Sequence, residues 1–362
     1  MRPGQGLLKP TGFSTFGNVF QKEHHRMAKQ TWLTGITTSG TPHIGNYVGA
    51  IRPAVQASQD TSRDGYYFLA DYHALIKSQD PARLIQSRQE IAAAWLALGL
   101  NVDHVTFYRQ SDVPEIMELN WMLTCLAAKG LMNRAHAYKA LVQANMDQGG
   151  TDADPDKGIS MGLFGYPILM AADILMFKAT HVPVGRDQIQ HLEMTRDVAQ
   201  RFNHIYGEHL VLPEVVVEDD TAVLSGLDGR KMSKSYDNVI PLFDTAKKLR
   251  KSIMRIVTNS QEPGEPKDTE GNTVFEIYQA FATAEQSAAL AAAYADGIGW
   301  GDAKQQLFEL IDGVLSEPRE RYEHLMAHPE EIDAVLADGA QRARAISAPY
   351  VDELRHAIGI AR

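Results

Sequence analysis

Three short apolar segments, "TWLTGI" (31–36), "GYYFLAD" (65–71) and "HVTFYRQ" (104–110), are separated by stretches of helical character, and this alternation narrows the fold more than any other feature. Between the first two, "IGNYVGAIRPAVQASQ" reads as a helix with a kink at Pro53. Between the second and third, "DPARLIQSRQEIAAAWLALGL" places Asp80 as an N-cap and Pro81 at the first helical position. Strands joined by helices of this length pair in parallel, so the expected class is α/β: a Rossmann-like doubly wound parallel sheet. Such sheets take ligands at the carboxyl ends of their strands.

From Pro114 to Asn145 the pattern is helical, and the polar, glycine-rich "MDQGGTDADPDKG" follows. Asp152, Asp154 and Asp156 alternate as calcium ligands do. However, Lys157 stands where the sixth position needs glycine and Leu163 where the twelfth needs glutamate, so a flexible loop is expected instead. Beyond about Asp244 the chain is almost wholly helical in pattern, with Ala-rich runs such as "EQSAALAAAYA". The expected division is a disordered N-terminal extension over 1–26, a sheet domain over 27–240 with a helical insert around 114–180, and a C-terminal all-helical domain over 241–362. The extension is rich in Gly, Pro and polar residues and lacks the apolar core of a signal peptide. Its His24 and His25 are expected to be solvated, and Met27 reads like a natural start.

Composition removes several function classes. The single cysteine, Cys125, excludes an intramolecular disulfide, a cysteine-built zinc site and an iron–sulfur cluster. No apolar run approaches the ~18 residues of a membrane span. A formal charge of -10 opposes broad attraction to nucleic acid, yet leaves room for a local basic face. One candidate is "AKKLRKSIMR" (246–255), which has five cations and no acid, and Asp244 is placed to cap its helix.

Two segments carry chemistry. In "GRKMSKSYDN" (229–238) a glycine leads into two lysines among small hydroxyl residues, the composition of a mobile loop whose ammonium groups can follow a phosphate. In "GITTSGTPHIGNYVGA" (35–50) a strand runs through a glycine-containing turn, and His43 with Gly45–Asn46 then opens a helix. The N–H groups at a helix start favour phosphate. The chain contains neither a Walker motif nor the dinucleotide glycine motif, so nucleotide binding has to rely on the histidine-led helix start. Tyr166, Met170 and Asp173, at i, i+4 and i+7, share one helical face. Asp173, flanked by "MAA" and "ILMF", has no local partner for its charge.

Together these segments resemble the class I aminoacyl-tRNA synthetases: "HIGN" stands for their HIGH signature and "KMSKS" (231–235) is complete. "YPILMAADILMFKATHVPVGRDQIQHLEMTRDVAQRF" (166–202) narrows the resemblance to the tryptophanyl branch, and most of the chain from residue 31 is similar to it. The resemblance implies that His43 contacts ATP and that Lys231 and Lys234 stabilise the transition state of adenylate formation. It adds Lys139 as a further lysine reaching the phosphates. Thr37, Thr38, Ser39, Gly45, Asn46, Met232, Ser233 and Ser235 complete the ATP-binding motifs, although Thr37 and Thr38 stand where the family has glutamine and proline. Gly185, Arg186 and Asp187 match the ribose segment, and Val223 a backbone position at the adenine. Asp173 would accept the indole N–H, Met170 would pack the ring, and Tyr166 with Gln188 would hold the ammonium.

The implied function is activation of L-tryptophan by ATP, with Mg2+ accompanying the ATP and no tightly bound cofactor, and transfer to tRNA(Trp). A cytoplasmic homodimer without membrane attachment is the implied setting. A tyrosyl-specific enzyme is the near alternative, opposed by Met170 where that enzyme usually has glutamine. A nucleotidyltransferase without tRNA would lack KMSKS and the helical tail. A noncatalytic paralogue would be expected to have lost His43, Lys231 or Lys234.

Overall fold

The computed structural model describes residues 29–38, 40–149, 154–217 and 223–361. The extension over 1–26, Met27, Ser39 and Asp152 lie outside the described residues. Five strands, β1 (Thr31–Thr37), β2 (Asp64–Ala70), β3 (Thr106–Arg109), β4 (His181–Val184) and β5 (Glu214–Val217), form one parallel sheet in the order β3-β2-β1-β4-β5. The expected α/β class is therefore present. β1 and β2 run in register from Thr31↔Asp64 to Thr37↔Ala70.

β4 and β5 are additional to the three strands legible in the sequence. Pro183 sits inside β4, where the missing N–H normally argues against an interior strand. Here β4 registers against β1 only at Trp32↔His181 and pairs along its length with β5. The strand order reverses between β1 and β4, which is where doubly wound sheets hold their ligands. The two strands diverge at that point.

β1 leads into α1 (Ile44–Asn46), a π turn (Tyr47–Ile51) and α2 (Arg52–Ala57). The irregularity expected at Pro53 thus takes the form of a widened turn just before it, with the Arg52 N–H donating to the Tyr47 carbonyl. β2 leads into α3 (Asp71–Ala74) and α4 (Pro81–Ala97), and Asp80 caps α4 as expected, accepting from the N–H groups of Ala82 and Arg83. Next come α5 (Glu115–Leu126), α6 (Lys129–Met132), α7 (His136–Gly149), α8 (Met161–Met176) and α9 (Ile189–Tyr206). The chain then continues through α10 (Ala246–Met254), α11 (Thr273–Phe281), α12 (Ala284–Ala295), α13 (Trp300–Ala327) and α14 (Pro329–Ala357).

Thr245, not Asp244, caps α10. Its hydroxyl accepts the Lys248 N–H, while Asp244 accepts the Thr245 N–H at 3.0 Å and pairs with the Lys248 ammonium at 3.3 Å. The helix begins one residue later than the sequence suggests, because Thr245 supplies its own oxygen.

Two buried clusters cover the two faces of the sheet, and strand alternation sorts them: Tyr67, Leu69 and Phe107 enter one, Phe68, Ala70 and Tyr108 the other. Each draws on residues from both sides of position 240. Leu307 and Ile311 of α13 join the first, and Ala343, Tyr350 and Leu354 of α14 join the second. α14 lies directly on edge strand β3. A Cβ added at Gly339 would sit 1.7 Å from the Phe107 carbonyl oxygen, and Arg342 donates to the carbonyls of Val102 and Val105 at 2.8 and 2.9 Å.

Candidate active site

A cavity of about 360 Å³ opens where β1 and β4 diverge. Tyr166, Met170 and Asp173 line it from α8, as their shared helical face requires, and Gln188, His73 and Thr37 join them. Asp173 is only 1% exposed, and its charge does have partners. His73 Nε2 lies 2.9 Å from Oδ2, and the Gln110 amide donates to Oδ1 and Oδ2 at 2.8 and 3.0 Å. These partners come from the residues just after β2 and β3, so the local sequence could not show them. The Tyr72 N–H donates to Gln110 Oε1 at 3.1 Å, which fixes the amide with its NH2 toward Asp173. Burial pushes the carboxyl upward from its ordinary range, and the bonds from His73 and Gln110 pull it back. A carboxylate offers about four acceptor sites, so one further N–H can still be accommodated.

The opposite wall carries a second chain of bonds. The Tyr166 hydroxyl lies 2.8 Å from His191 Nε2, His191 Nδ1 lies 2.8 Å from Gln188 Oε1, and the Gln188 NH2 donates to Asp187 at 2.7 Å. Burial, then the neighbouring His136, lowers the pKa of His191, so the ring is neutral. One proton arrangement satisfies the chain: Tyr166 donates to His191, which donates to Gln188. The lone pairs of the Tyr166 oxygen then remain as acceptors for an ammonium group.

A larger cavity, about 730 Å³, adjoins the first, with Thr37 lining both. Its wall includes His43, Gly45, Asn46, Gly185, Asp187, Val223, Lys231, Met232, Ser233 and Lys234. His43 and Asn46 form a reciprocal cap: Nδ1 accepts the Asn46 N–H at 3.3 Å, and Asn46 Oδ1 accepts the His43 N–H at 3.1 Å. With Nδ1 accepting, the ring proton is on Nε2, available as a donor. Burial and the Lys234 charge push the His43 pKa down to about 4, so the imidazole is neutral near pH 7. Gly45 keeps this corner compact, since an added Cβ would lie 3.0 Å from His43 Nδ1 and 3.4 Å from Met232 Sδ.

The KMSKS segment is held from behind. Met232 N–H donates to the Leu224 carbonyl at 2.8 Å. The buried Asn238 side chain accepts the Ser233 N–H at 2.8 Å and donates to Asp228 Oδ1 and the Lys231 carbonyl at 2.7 and 3.1 Å. Ile44 N–H donates to the Ile240 carbonyl and Leu242 N–H to the Pro42 carbonyl, both at 3.0 Å, so the histidine-led helix start is stitched to the segment that follows KMSKS. Partial burial, then the nearby Arg83, lowers the Lys234 pKa.

Other expected residues lie elsewhere. Thr38 is buried with its hydroxyl lacking a partner among the described residues, and lines neither cavity. Arg186 and Ser235 are exposed next to lining residues, and Lys139 is exposed on α7, two residues past the lining Ala137, and lines neither cavity. His73, Gln110, His191 and Asn238 escaped the sequence reading. A weak signal existed for the first two, which are polar residues just past the carboxyl ends of strands.

A profile described as tRNA synthetases class I (W and Y) matches residues 26–316. The chain is 60% identical over 331 residues to a tryptophan–tRNA ligase of Pseudomonas putida, covering 91% of this chain and 73% of that protein. It is 61% identical over 330 residues to one from Xanthomonas axonopodis pv. citri, covering 91% and 76%. Among solved structures, a tryptophanyl-tRNA synthetase from Campylobacter jejuni complexed with ADP and tryptophan superposes with a TM-score of 0.82 at 41% identity, covering 91% of this chain and all of that one.

Proposed function

The chain belongs to the class I tRNA synthetases of the tryptophan and tyrosine branch, as a tryptophan–tRNA ligase, and on that premise we propose how its residues divide the work. The enzyme activates L-tryptophan with ATP to tryptophanyl-adenylate and pyrophosphate, then transfers tryptophan to tRNA(Trp). The observation that carries the division is the junction of two chemically unlike cavities at Thr37. The smaller cavity takes the amino acid. Asp173, oriented by His73 and Gln110, accepts the indole N–H, Met170 packs the ring, and Tyr166 with Gln188 receives the ammonium. The tryptophan carboxylate is thereby delivered to the junction. The larger cavity takes ATP, with Asp187 beside the ribose and Val223 beside the adenine.

A carboxylate oxygen attacks the α-phosphorus, and the bond from phosphorus to the pyrophosphate oxygen breaks. Charge flows to pyrophosphate, where Lys231 and Lys234 neutralise it and the His43 Nε2–H donates a hydrogen bond. Each such positioned donor is worth a few kcal/mol, and no covalent assistance is needed. Asp187 is the one acid among the described lining residues, which supports a site that receives Mg2+ with ATP and does not cage it. Lys139 would have to swing in from α7 to take part. In the second step a hydroxyl of the tRNA's terminal ribose attacks the adenylate carbonyl carbon and AMP leaves.

In this reading residues 27–240 carry the chemistry and 241–362 the tRNA anticodon contacts, with α10 supplying a basic face. Assembly as a homodimer belongs to the same reading, supported by the exposed apolar side chains of Leu75 and Ile85. No described helix is long and apolar enough to cross a membrane, and a cytoplasmic location fits the single cysteine. The test is ATP–pyrophosphate exchange with each of the twenty amino acids. Tryptophan alone should support exchange; equal exchange with tyrosine, or none with any amino acid, would overturn the assignment.

A further inference from the structure

The corner between α13 and α14, remote in sequence from every residue assigned above, gathers three ligating side chains. His324 and His328 stand at i and i+4 at the end of α13, and Glu331 lies in the first turn of α14. Their ligand atoms all lie within 4.8 Å of one another, the one such group of His, Cys, Asp or Glu among the described residues. We propose that His324, His328 and Glu331 form a surface site for a divalent ion of the zinc class.

Three features support it beyond proximity. His328 Nδ1 lies 2.9 Å from the His324 carbonyl oxygen, which places the ring proton on Nδ1 and leaves the Nε2 lone pair outward. Metal-bound histidines adopt the same arrangement, donating the other ring N–H to a backbone carbonyl. His324 Nε2 already meets Glu331 Oε1 at 3.0 Å, so these two ligand atoms face each other in the metal-free chain. On metal binding the Nε2 proton moves to Nδ1 of this exposed ring, and the freed lone pair takes the ion. The backbone is also fixed at the corner. His328 ends one helix and precedes the next, Pro329 begins α14, and the Glu331 N–H donates to the His328 carbonyl at 3.0 Å.

A zinc ion bonds imidazole nitrogen and carboxylate oxygen at about 2.0–2.2 Å, which sets ligand atoms roughly 3.4 Å apart in a tetrahedron. Reaching that spacing from the present one needs only side-chain torsions in exposed residues. Two imidazoles and one carboxylate favour zinc, nickel or copper over magnesium or calcium. His324 and Glu331 also line a cleft of about 470 Å³, together with Glu320, one turn before His324. The charge of Arg321 in the same cleft is offset by its ion pair with Glu317 at 3.1 Å, and its guanidinium is held by a bond to the Ala97 carbonyl at 2.9 Å.

The experiment uses the full chain stripped with chelator and titrated with ZnCl2 by calorimetry. Co2+ is titrated in parallel as a visible-absorption probe and MgCl2 as the control. The wild type should bind one more equivalent of Zn2+ per chain than His328→Gln or Glu331→Gln. Its Co2+ complex should show an intense low-coordinate absorption that both variants lack, and MgCl2 should not compete. Tryptophan-dependent exchange, measured as a check on folding, should be the same in all three proteins. Equal Zn2+ binding by wild type and variants, no binding by the wild type, or displacement by Mg2+ would each overturn the site.

Discussion

The two cavities that meet at Thr37 are built on opposite plans. In the cavity proposed for tryptophan the polar groups are tied to one another. Asp173 is bonded to His73 and Gln110, and Tyr166 to His191, which is bonded in turn to Gln188; Gln110 and Gln188 are each fixed by a further bond. In the cavity proposed for the nucleotide the lysines are exposed on a loop that is held at its back, through Asn238. The first arrangement suits selection, because a buried, fully oriented acceptor rejects any ligand without the matching donor. On the proposed mechanism the second suits catalysis, because ammonium groups on flexible stems can follow charge that moves from the α-phosphate to pyrophosphate.

The sharpest way to break this contrast is Lys234→Ala. It should lower the turnover of tryptophan-dependent exchange by about 10²–10³-fold while leaving the Kd for tryptophan, read by fluorescence quenching, unchanged. A parallel weakening of tryptophan binding would mean that the cavities are not separable. Next comes pH. His43 titrates near pH 4 in the folded chain, against about 6.5 when unfolded, so between these values the unfolded chain binds the proton more tightly. Stability from this residue is complete above about pH 6.5, and about 3 kcal/mol of it disappears as pH falls to about 4. Urea unfolding across that range should show a shallower acid decline for His43→Asn than for the wild type. Identical slopes would remove the buried neutral imidazole from the account.

Asp173→Asn should reduce kcat/KM for tryptophan by an amount corresponding to about 1–3 kcal/mol, roughly tenfold to a hundredfold, with the KM for ATP unmoved. Unchanged exchange would show that the carboxylate is a structural tie for His73 and Gln110 and nothing more. The smallest effect on activation is expected from replacing Lys247, Lys248 and Lys251 by Gln on α10, outside both cavities. Exchange should stay at the wild-type rate, while the log–log salt slope of tRNA binding should flatten by ~0.7–0.9 for each phosphate that the variant no longer neutralises. An unaltered slope would leave those lysines as a solvated face.

What was legible in the sequence was what is local. His43 with Asn46, the KMSKS lysines, and Tyr166, Met170 and Asp173 lie within one turn or one helix, where spacing alone brings side chains together. The partners that make these residues work were illegible because they arrive from afar. His73 is 100 residues from Asp173 and Gln110 is 63, joined only when the strand ends line up along one edge of the sheet. His191, three residues from Gln188, was within reach of local reasoning, but nothing in its helix predicts the Tyr166 hydroxyl on its far side. β4 was hidden by Pro183, whose missing N–H matters little where pairing is carried mainly on one side. α14 has the pattern of an ordinary surface helix, in which Gly339 looks like a weak point, although that glycine is where the helix meets a strand.

The seating of α14 on β3 gives the order of synthesis a physical meaning. A ribosome releases the sheet strands long before residues 329–357, and domains generally fold as they emerge. During that interval β3 presents a bare row of backbone N–H and carbonyl groups, the kind of edge on which a second nascent chain can pair. Arg342 bonding to the Val102 and Val105 carbonyls covers the edge as the final helix arrives, while Arg344 bonding to Glu115, Arg355 to Glu118 and the Tyr350 hydroxyl to the His209 carbonyl anchor that helix to α5 and the turn after α9. A chain interrupted before Gly339 would therefore leave the β3 edge without the helix that covers it.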